Sequence, residues 1–236
     1  MVEQDKFIKN LIIAKDIKNS FYYKLRHNFL YHSNKIEGST FTTSSLALLL
    51  DKNIVEGKHT FDDVQETVNS SYVFDYIVET LGEKIDKRYL KYLHSMLKHN
   101  TADYNRGFAG VFKKIPNMIS GSDVVLVQPY EVEPKLDELL EWYYSKEKVG
   151  FNEIAEFHYR FETIHPFQDG NGRIGRFIIL KQILENNLPL IIISWDTEDR
   201  YRKALSECKD DNYEPLVNYF NSLNDFKEEN KILWDF

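Results

Sequence analysis

With 236 residues, 42% hydrophobic and 14% aromatic, the chain is long enough for one large domain or a domain with an attached arm, and can bury a sizeable core. A formal net charge of −7 argues against a nucleic-acid binder, whose footprint is basic. No apolar run is long enough to span a bilayer. The single cysteine, Cys208, excludes an internal disulfide, and the N-terminal stretch is too interrupted by charge for a signal peptide. A soluble cytoplasmic protein, with neither nucleic acid nor membrane as partner, is the expectation.

Helical periodicity dominates in chain order. Phe7, Leu11 and Ile17 predict a first helix. Phe21, Leu25, Phe29 and Ile36 predict a second, running to Glu37 and ended by Gly38, which adopts the left-handed cap conformation cheaply. A short helix is expected over Leu46–Leu50. Thr60 is a suitable cap for a helix carrying Val64, Val68, Ile77 and Leu81, and Tyr89, Leu93 and Leu97 mark another after Asp86. From Gly107 to Gln128 the pattern breaks. Three glycines, Pro116 and two short apolar runs around Gly121–Ser122 predict a β-hairpin. Helices resume over Pro134–Tyr144, Asn152–Ile164, Arg173–Glu185, Asp199–Cys208 and Pro215–Leu223, with Pro134 and Pro215 in first turns. The fold class is mostly α with one hairpin.

One stretch, HPFQDGNGRIGR over residues 165–176, concentrates chemistry. Pro166 disfavours helix at His165, so the helix ends there and presents the imidazole. Gly170 and Gly172 allow backbone that exposes N–H groups, and the helix starting near Gly172 or Arg173 makes an anion site. Arg173 and Arg176 fall in its first turn. Cations there oppose the helix dipole by about 0.3–1 kcal/mol each when exposed, an arrangement that a bound polyanion reverses. Phosphates fit best. Asp169, an acid among anion-binding groups, makes sense as a ligand to Mg²⁺, which takes a carboxylate or two plus phosphate oxygens. His165 is then placed to accept a proton from an attacking hydroxyl. These residues together suggest a nucleotide-phosphate transferase. Phe167 and Ile174 read as core anchors.

The same twelve residues resemble the motif HPFx[D/E]GNGRxxR of the Fic (filamentation induced by cAMP) family, with every fixed position filled. The resemblance extends from about Tyr72 to Leu223. It implies a Fic-type helical bundle whose hairpin is the flap, and transfer of AMP from ATP to a protein hydroxyl with release of pyrophosphate. By position, His165 resembles the general base and Asp169 the Mg²⁺ ligand. Gly170, Asn171 and Gly172 resemble the anion hole, with Asn171 on the α-phosphate. Arg173 resembles the partner of the β-phosphate and Arg176 that of the γ-phosphate. Near the flap, Lys113, Ile115, Asn117 and Met118 are expected to help dock the target. Tyr201 is expected near the adenine, with a core role as its alternative.

Upstream, Ser33-Asn34-Lys35-Ile36-Glu37-Gly38 matches the Fic inhibitory pattern [S/T]xxxE[G/N] at the end of a predicted helix. Glu37 could pair with Arg176 in a bidentate, geometrically specific contact and deny ATP a partner. Ser33, a turn earlier, could bond Glu37 or its surroundings. The organisation implied is N-terminal helices over 1–60, including the inhibitory segment 33–38, then a catalytic core over 61–236 with the flap at about 107–128. The function implied is a protein adenylyltransferase acting on Tyr, Ser or Thr hydroxyls, itself included as a target, and restrained in cis by Glu37. Three alternatives stand beside it. The first is Glu37-dependent removal of AMP from modified proteins. The second is transfer of another group, disfavoured by the intact Gly172. The third is a non-catalytic nucleotide-sensing module, disfavoured by the intact His165. A metal hydrolase built on His158, His165 and Asp169 leaves both arginines unexplained. Residues 1–30 and 225–236 suit contacts between copies, and homo-oligomerisation is left open.

Overall fold

The computed structural model of the chain describes residues 2–118 and 126–235. Helices supply its regular structure: α1 (Val2–Ile13), α2 (Phe21–Ile36), α3 (Thr43–Lys52), α4 (Phe61–Glu79), α5 (Lys87–Leu97), α6 (Ala102–Asn105), α7 (Val132–Tyr144), α8 (Phe151–Ile164), α9 (Asn171–Asn186), α10 (Glu198–Glu207), α11 (Glu214–Asn221) and α12 (Phe226–Glu229). Among the described residues there is no strand, apart from an isolated bridge between Lys209 and Asn212. No helix is long and apolar enough to cross a membrane.

Local chemistry sets most boundaries. Ser20, Thr60 and Asp86 each accept a hydrogen bond from the backbone N–H three residues on, and so start α2, α4 and α5. Thr42 and Ser45 form a reciprocal capping box at α3. Two stripe residues assigned to helices fall outside them. Ile17 lies beyond α1 and is exposed, and Leu81 follows α4. The short helices α6 and α12 carry too little apolar periodicity to be read in advance.

The helix α9 is the axis of the molecule. Thirteen of its residues are buried, including Arg173, Arg176, Lys181 and Gln182, and it packs against α8, α4, α2 and α5. A helix apolar on nearly every side belongs at the centre. The buried side chains form one continuous cluster from Phe7 to Trp234, so the N-terminal helices share the core of the rest.

The hairpin expected over 107–128 has its turn and much of its second run at 119–125, outside the described residues. Its flanks, 111–118 and 126–128, are irregular backbone. Lys113 N–H donates to Pro166 O (2.8 Å) and Val127 N–H to Thr163 O (3.2 Å), which anchors each flank to the end of α8 and the loop after it.

Candidate active site

The site forms where α8 ends and α9 begins. His165 ends α8 where the following proline disfavours helix, and it does so in the left-handed region (φ 48°) instead of the extended backbone usual before proline. Its Nδ1 lies 3.2 Å from Glu162 O. A carbonyl only accepts, so Nδ1 carries the proton and Nε2 keeps a free lone pair. Burial pushes the imidazole down to about 4, keeping it neutral at ordinary pH.

Gly170 opens α9 with φ 80°, and no side chain caps that end. The N–H groups of the first turn therefore have no side-chain acceptor, as an anion site requires. A side chain at Gly170 would press on Leu97 and Lys98, each 3.2 Å from an added Cβ. The helix starts at Asn171, slightly before the expected start.

The loop between is held from several directions. Asn171 Nδ2 donates to Phe167 O (2.9 Å) and its Oδ1 accepts from Phe167 N (2.8 Å). That side chain closes the loop, and what it leaves for an anion is its backbone N–H. His94 stacks flat on Phe167 at 3.9 Å. Its Nδ1 accepts from Gly110 N (2.9 Å), so its Nε2 donates to Asp169 O (3.0 Å). Lys113, 3% exposed, bonds Asn117 Oδ1 (3.0 Å) and Ile164 O (3.1 Å), and Asn117 Nδ2 donates to Phe167 O (3.0 Å). Lys113 and Asn117 thus brace the loop between α8 and α9. Ile115 and Met118, on the same segment, are exposed.

Charge is arranged in two linked sets. In the first, Arg176 Nη2 donates to Glu37 Oε1 (2.7 Å) and Ser33 O (2.9 Å), and its Nε donates to Ser33 Oγ (3.0 Å). The contact to Glu37 is therefore single, and Ser33 serves the guanidinium instead of the carboxylate. Burial opposes the charge on Glu37, yet Arg176 and Arg173 hold its carboxyl below the usual carboxylate range. In the second set, Arg173 pairs with Glu66 and lies 3.5 Å from Asp169 Oδ2. Lys98, 1% exposed, pairs with Asp169, Glu66 (2.6 Å) and Asp103 (3.0 Å). Against partial desolvation, Lys98 and Arg173 draw the Asp169 carboxyl down to about 2.

Glu66, Asp103 and Asp169 each offer an oxygen within 4.8 Å of the others, a hard donor set of the kind Mg²⁺ takes. Lys98 already reaches all three. Asp169 alone is open, its side chain 58% exposed beside the α9 N-terminus, and it fits a metal carried in with phosphates.

Ser33, Glu37, His165, Asp169, Gly170, Asn171, Gly172, Arg173 and Arg176 thus converge on one end of α9. Tyr201 is buried, and its hydroxyl lies 2.6 Å from His158 Nε2. Sequence reasoning missed Glu66, Lys98, Asp103 and Glu162, and passed over His94. His94 did carry a signal, since it stands on the apolar stripe of Leu90, Leu93 and Leu97. Glu66 and Asp103 carried none, because a carboxylate on a helix surface is ordinary.

Residues 84–183 match the model of the Fic/DOC family. Over 214 residues the chain is 25% identical to the protein adenylyltransferase Fic of Nematostella vectensis, covering 89% of this chain and 48% of that one. Over 193 residues it is 24% identical to the protein of the same name from Aedes aegypti, covering 80% and 38%. The chain thus spans half or less of these relatives. Among solved structures it resembles a Fic domain-containing signalling protein from Bacteroides thetaiotaomicron (TM-score 0.75, 22% identity, 92% of each chain). It also resembles Fic-1 from C. elegans (TM-score 0.76, 18% identity, 98% of this chain and 72% of that one).

Proposed function

We infer, from the match of residues 84–183 to the Fic/DOC family and from the geometry of the site, a protein adenylyltransferase that moves AMP from ATP to a Tyr, Ser or Thr hydroxyl and is restrained in cis by Glu37. The observation that carries this reading is the convergence of a neutral His165, an uncapped helix start and two buried arginines, one already bridged to Glu37. We read residues 61–236 as the catalytic core and 1–60 as the segment that brings the restraint.

His165 Nε2 takes the proton of the target hydroxyl while Nδ1 stays bonded to Glu162 O. The hydroxyl oxygen forms a bond to the α-phosphorus, the α–β P–O bond breaks, and pyrophosphate leaves with the electron pair. Backbone N–H groups of Gly170, Asn171 and Gly172 receive the α-phosphate, and Arg173 and Arg176 receive the β- and γ-phosphates. Asp169 would hold Mg²⁺, which when bound neutralises phosphate charge and orients the leaving group. Exposed Ile115 and Met118 suit a docked target segment, whereas Tyr201, buried against His158, suits the core role that stood as its alternative. With Glu37 on Arg176, the γ-phosphate lacks its partner.

The test uses wild type, Glu37→Gly and His165→Ala with Mg²⁺ and α- or γ-labelled ATP, read by label and intact mass. Label from the α position alone, one AMP gained, a rise in Glu37→Gly and loss in His165→Ala are expected. Label from the γ position would make the enzyme a kinase, and equal labelling of wild type and Glu37→Gly would remove the restraint. A second reading, removal of AMP, is favoured by the Glu37 carboxylate standing over Gly172, where it could hold a water. It predicts Glu37-dependent release of AMP from a modified protein.

A further inference from the structure

Among the groups the reaction as written leaves unused, Glu162 is the most anomalous. Its side chain is only 13% exposed, and its Oε1 is buried with no hydrogen-bond partner among the described residues. A buried carboxyl kept for packing alone ordinarily finds donors, and an orphaned oxygen calls for a reason. Its Oε2 lies 3.8 Å from His165 Nδ1, on the side of the ring away from the free lone pair. Room for it is made by α9. A Cβ added at Gly175 would lie 2.5 Å from Glu162 Oε1 and 2.9 Å from His158 Cε1. The missing side chain at Gly175 therefore leaves the space that Glu162 and His158 fill.

We propose that Glu162 is a positioning residue for His165, and that the Glu37–Arg176 pair acts on the base through it. This rests on His165 being the base of the transfer proposed above. The groups around the carboxyl are His158 and His165 from α8 and its end, Arg176 from α9, Tyr201 and Arg202 from α10, and Glu37 from the end of α2. Burial pushes Glu162 up, Arg176 pulls it down, Glu37 pushes it up and Arg202 pulls it down, and the balance stands at about 8. While Glu37 sits on Arg176, Glu162 keeps its proton at neutral pH and offers His165 no charge. When Glu37 leaves, a negative neighbour is gone and Arg176 is no longer neutralised. Both changes favour the carboxylate. A carboxylate this close to an imidazole raises its basicity by about 1–3 pK units, which strengthens the base as the restraint is lifted. Withdrawal of Glu37 thus frees the γ-phosphate partner and readies His165 in the same event.

Infrared difference spectra of the full chain test this without relying on turnover. Wild type at pH 7 is expected to show the C=O stretch of a buried protonated carboxylic acid, absent in Glu162→Gln. In Glu37→Gly the band should be missing at pH 7 and return on acidification. In the Glu37→Gly background, Glu162→Gln should lower kcat for AMP transfer about tenfold with KM for ATP changed less than about twofold. It should also shift the acid limb of the pH profile to lower pH. A wild type without the band, or a band equally strong in Glu37→Gly at pH 7, would overturn the proposal. So would a kcat loss with an unshifted acid limb. If Glu162→Gln does not fold, wild type against Glu37→Gly decides alone. If no variant transfers AMP while the bands behave as expected, the coupling stands and the adenylyl-transfer reading falls.

Discussion

At Gly172 the two roles of the site meet on one backbone atom. A Cβ added there would collide with Glu37 Oε1 and come within 3.1 Å of Arg176 Nη1. The carboxylate therefore occupies the space over the first turn of α9 that a phosphate oxygen would use, beside the cation such an oxygen would meet. Gly172→Ala should destabilise the wild type, and less so when Glu37 is already glycine. A double-mutant cycle in urea should return a coupling of about 0.5–3 kcal/mol, and additive losses would refute the close approach. Ser33 is the quieter partner. Ser33→Ala removes the hydroxyl that accepts from Arg176 Nε, costs about 1 kcal/mol, and should raise AMP transfer only partly, because the Glu37 contact remains. The residues from His165 to Arg176 were legible as a candidate site because a local motif places them within twelve positions. Gly175 was not, because its reason lies across the interface with α8 in Glu162 and His158.

Between elements, the link from α5 to the loop between α8 and α9 carries the most weight. Lys98, at the end of α5, reaches Glu66 on α4, Asp103 in α6 and Asp169 in the loop, while His94 on the same helix pins Phe167 and Asp169. Burial opposes the ammonium, and Arg173 repels it, but Asp169 and Glu66 hold it charged. Lys98→Met removes the one cation that reaches all three carboxylates, leaving Glu66 and Asp169 to Arg173 and Asp103 to the exposed Arg106. A loss of about 3–5 kcal/mol in chemical denaturation is expected, the cost of breaking a buried pair on one side. Added Mg²⁺ should recover part of that loss in the variant while leaving the wild-type midpoint nearly unmoved. Helix positions, caps and the end of α2 at Glu37–Gly38 were readable, since periodicity and capping chemistry are local. The tie of Lys113 and Asn117 to the loop was not, because residues expected to face a target turn inward to carbonyls supplied by α8 and the loop after it.

For the molecule as a whole, burying histidines at the centre makes stability depend on pH. Burial holds His94 and His158 down to about 3 and His165 to about 4, whereas an unfolded histidine titrates near 6.5. Below about pH 6.5 the unfolded chain takes up protons that the folded one refuses, so this stability is complete above that pH and is lost as pH falls. Glu162, raised to about 8, works in the opposite direction but is one group against three. The urea midpoint should therefore drop between pH 7 and pH 5. A midpoint that stays level or rises would contradict the neutral buried histidines. Helical class, element order and the candidate site over His165–Arg176 could be read from the chain alone, because periodicity, capping and a contiguous motif are properties of near neighbours. The convergence of Glu37 with Arg176, the carboxylates gathered on Lys98, and the orphaned Glu162 beside His165 arise between residues far apart in sequence or on facing helices. Folding brings those groups together, and no local pattern encodes the distances between them.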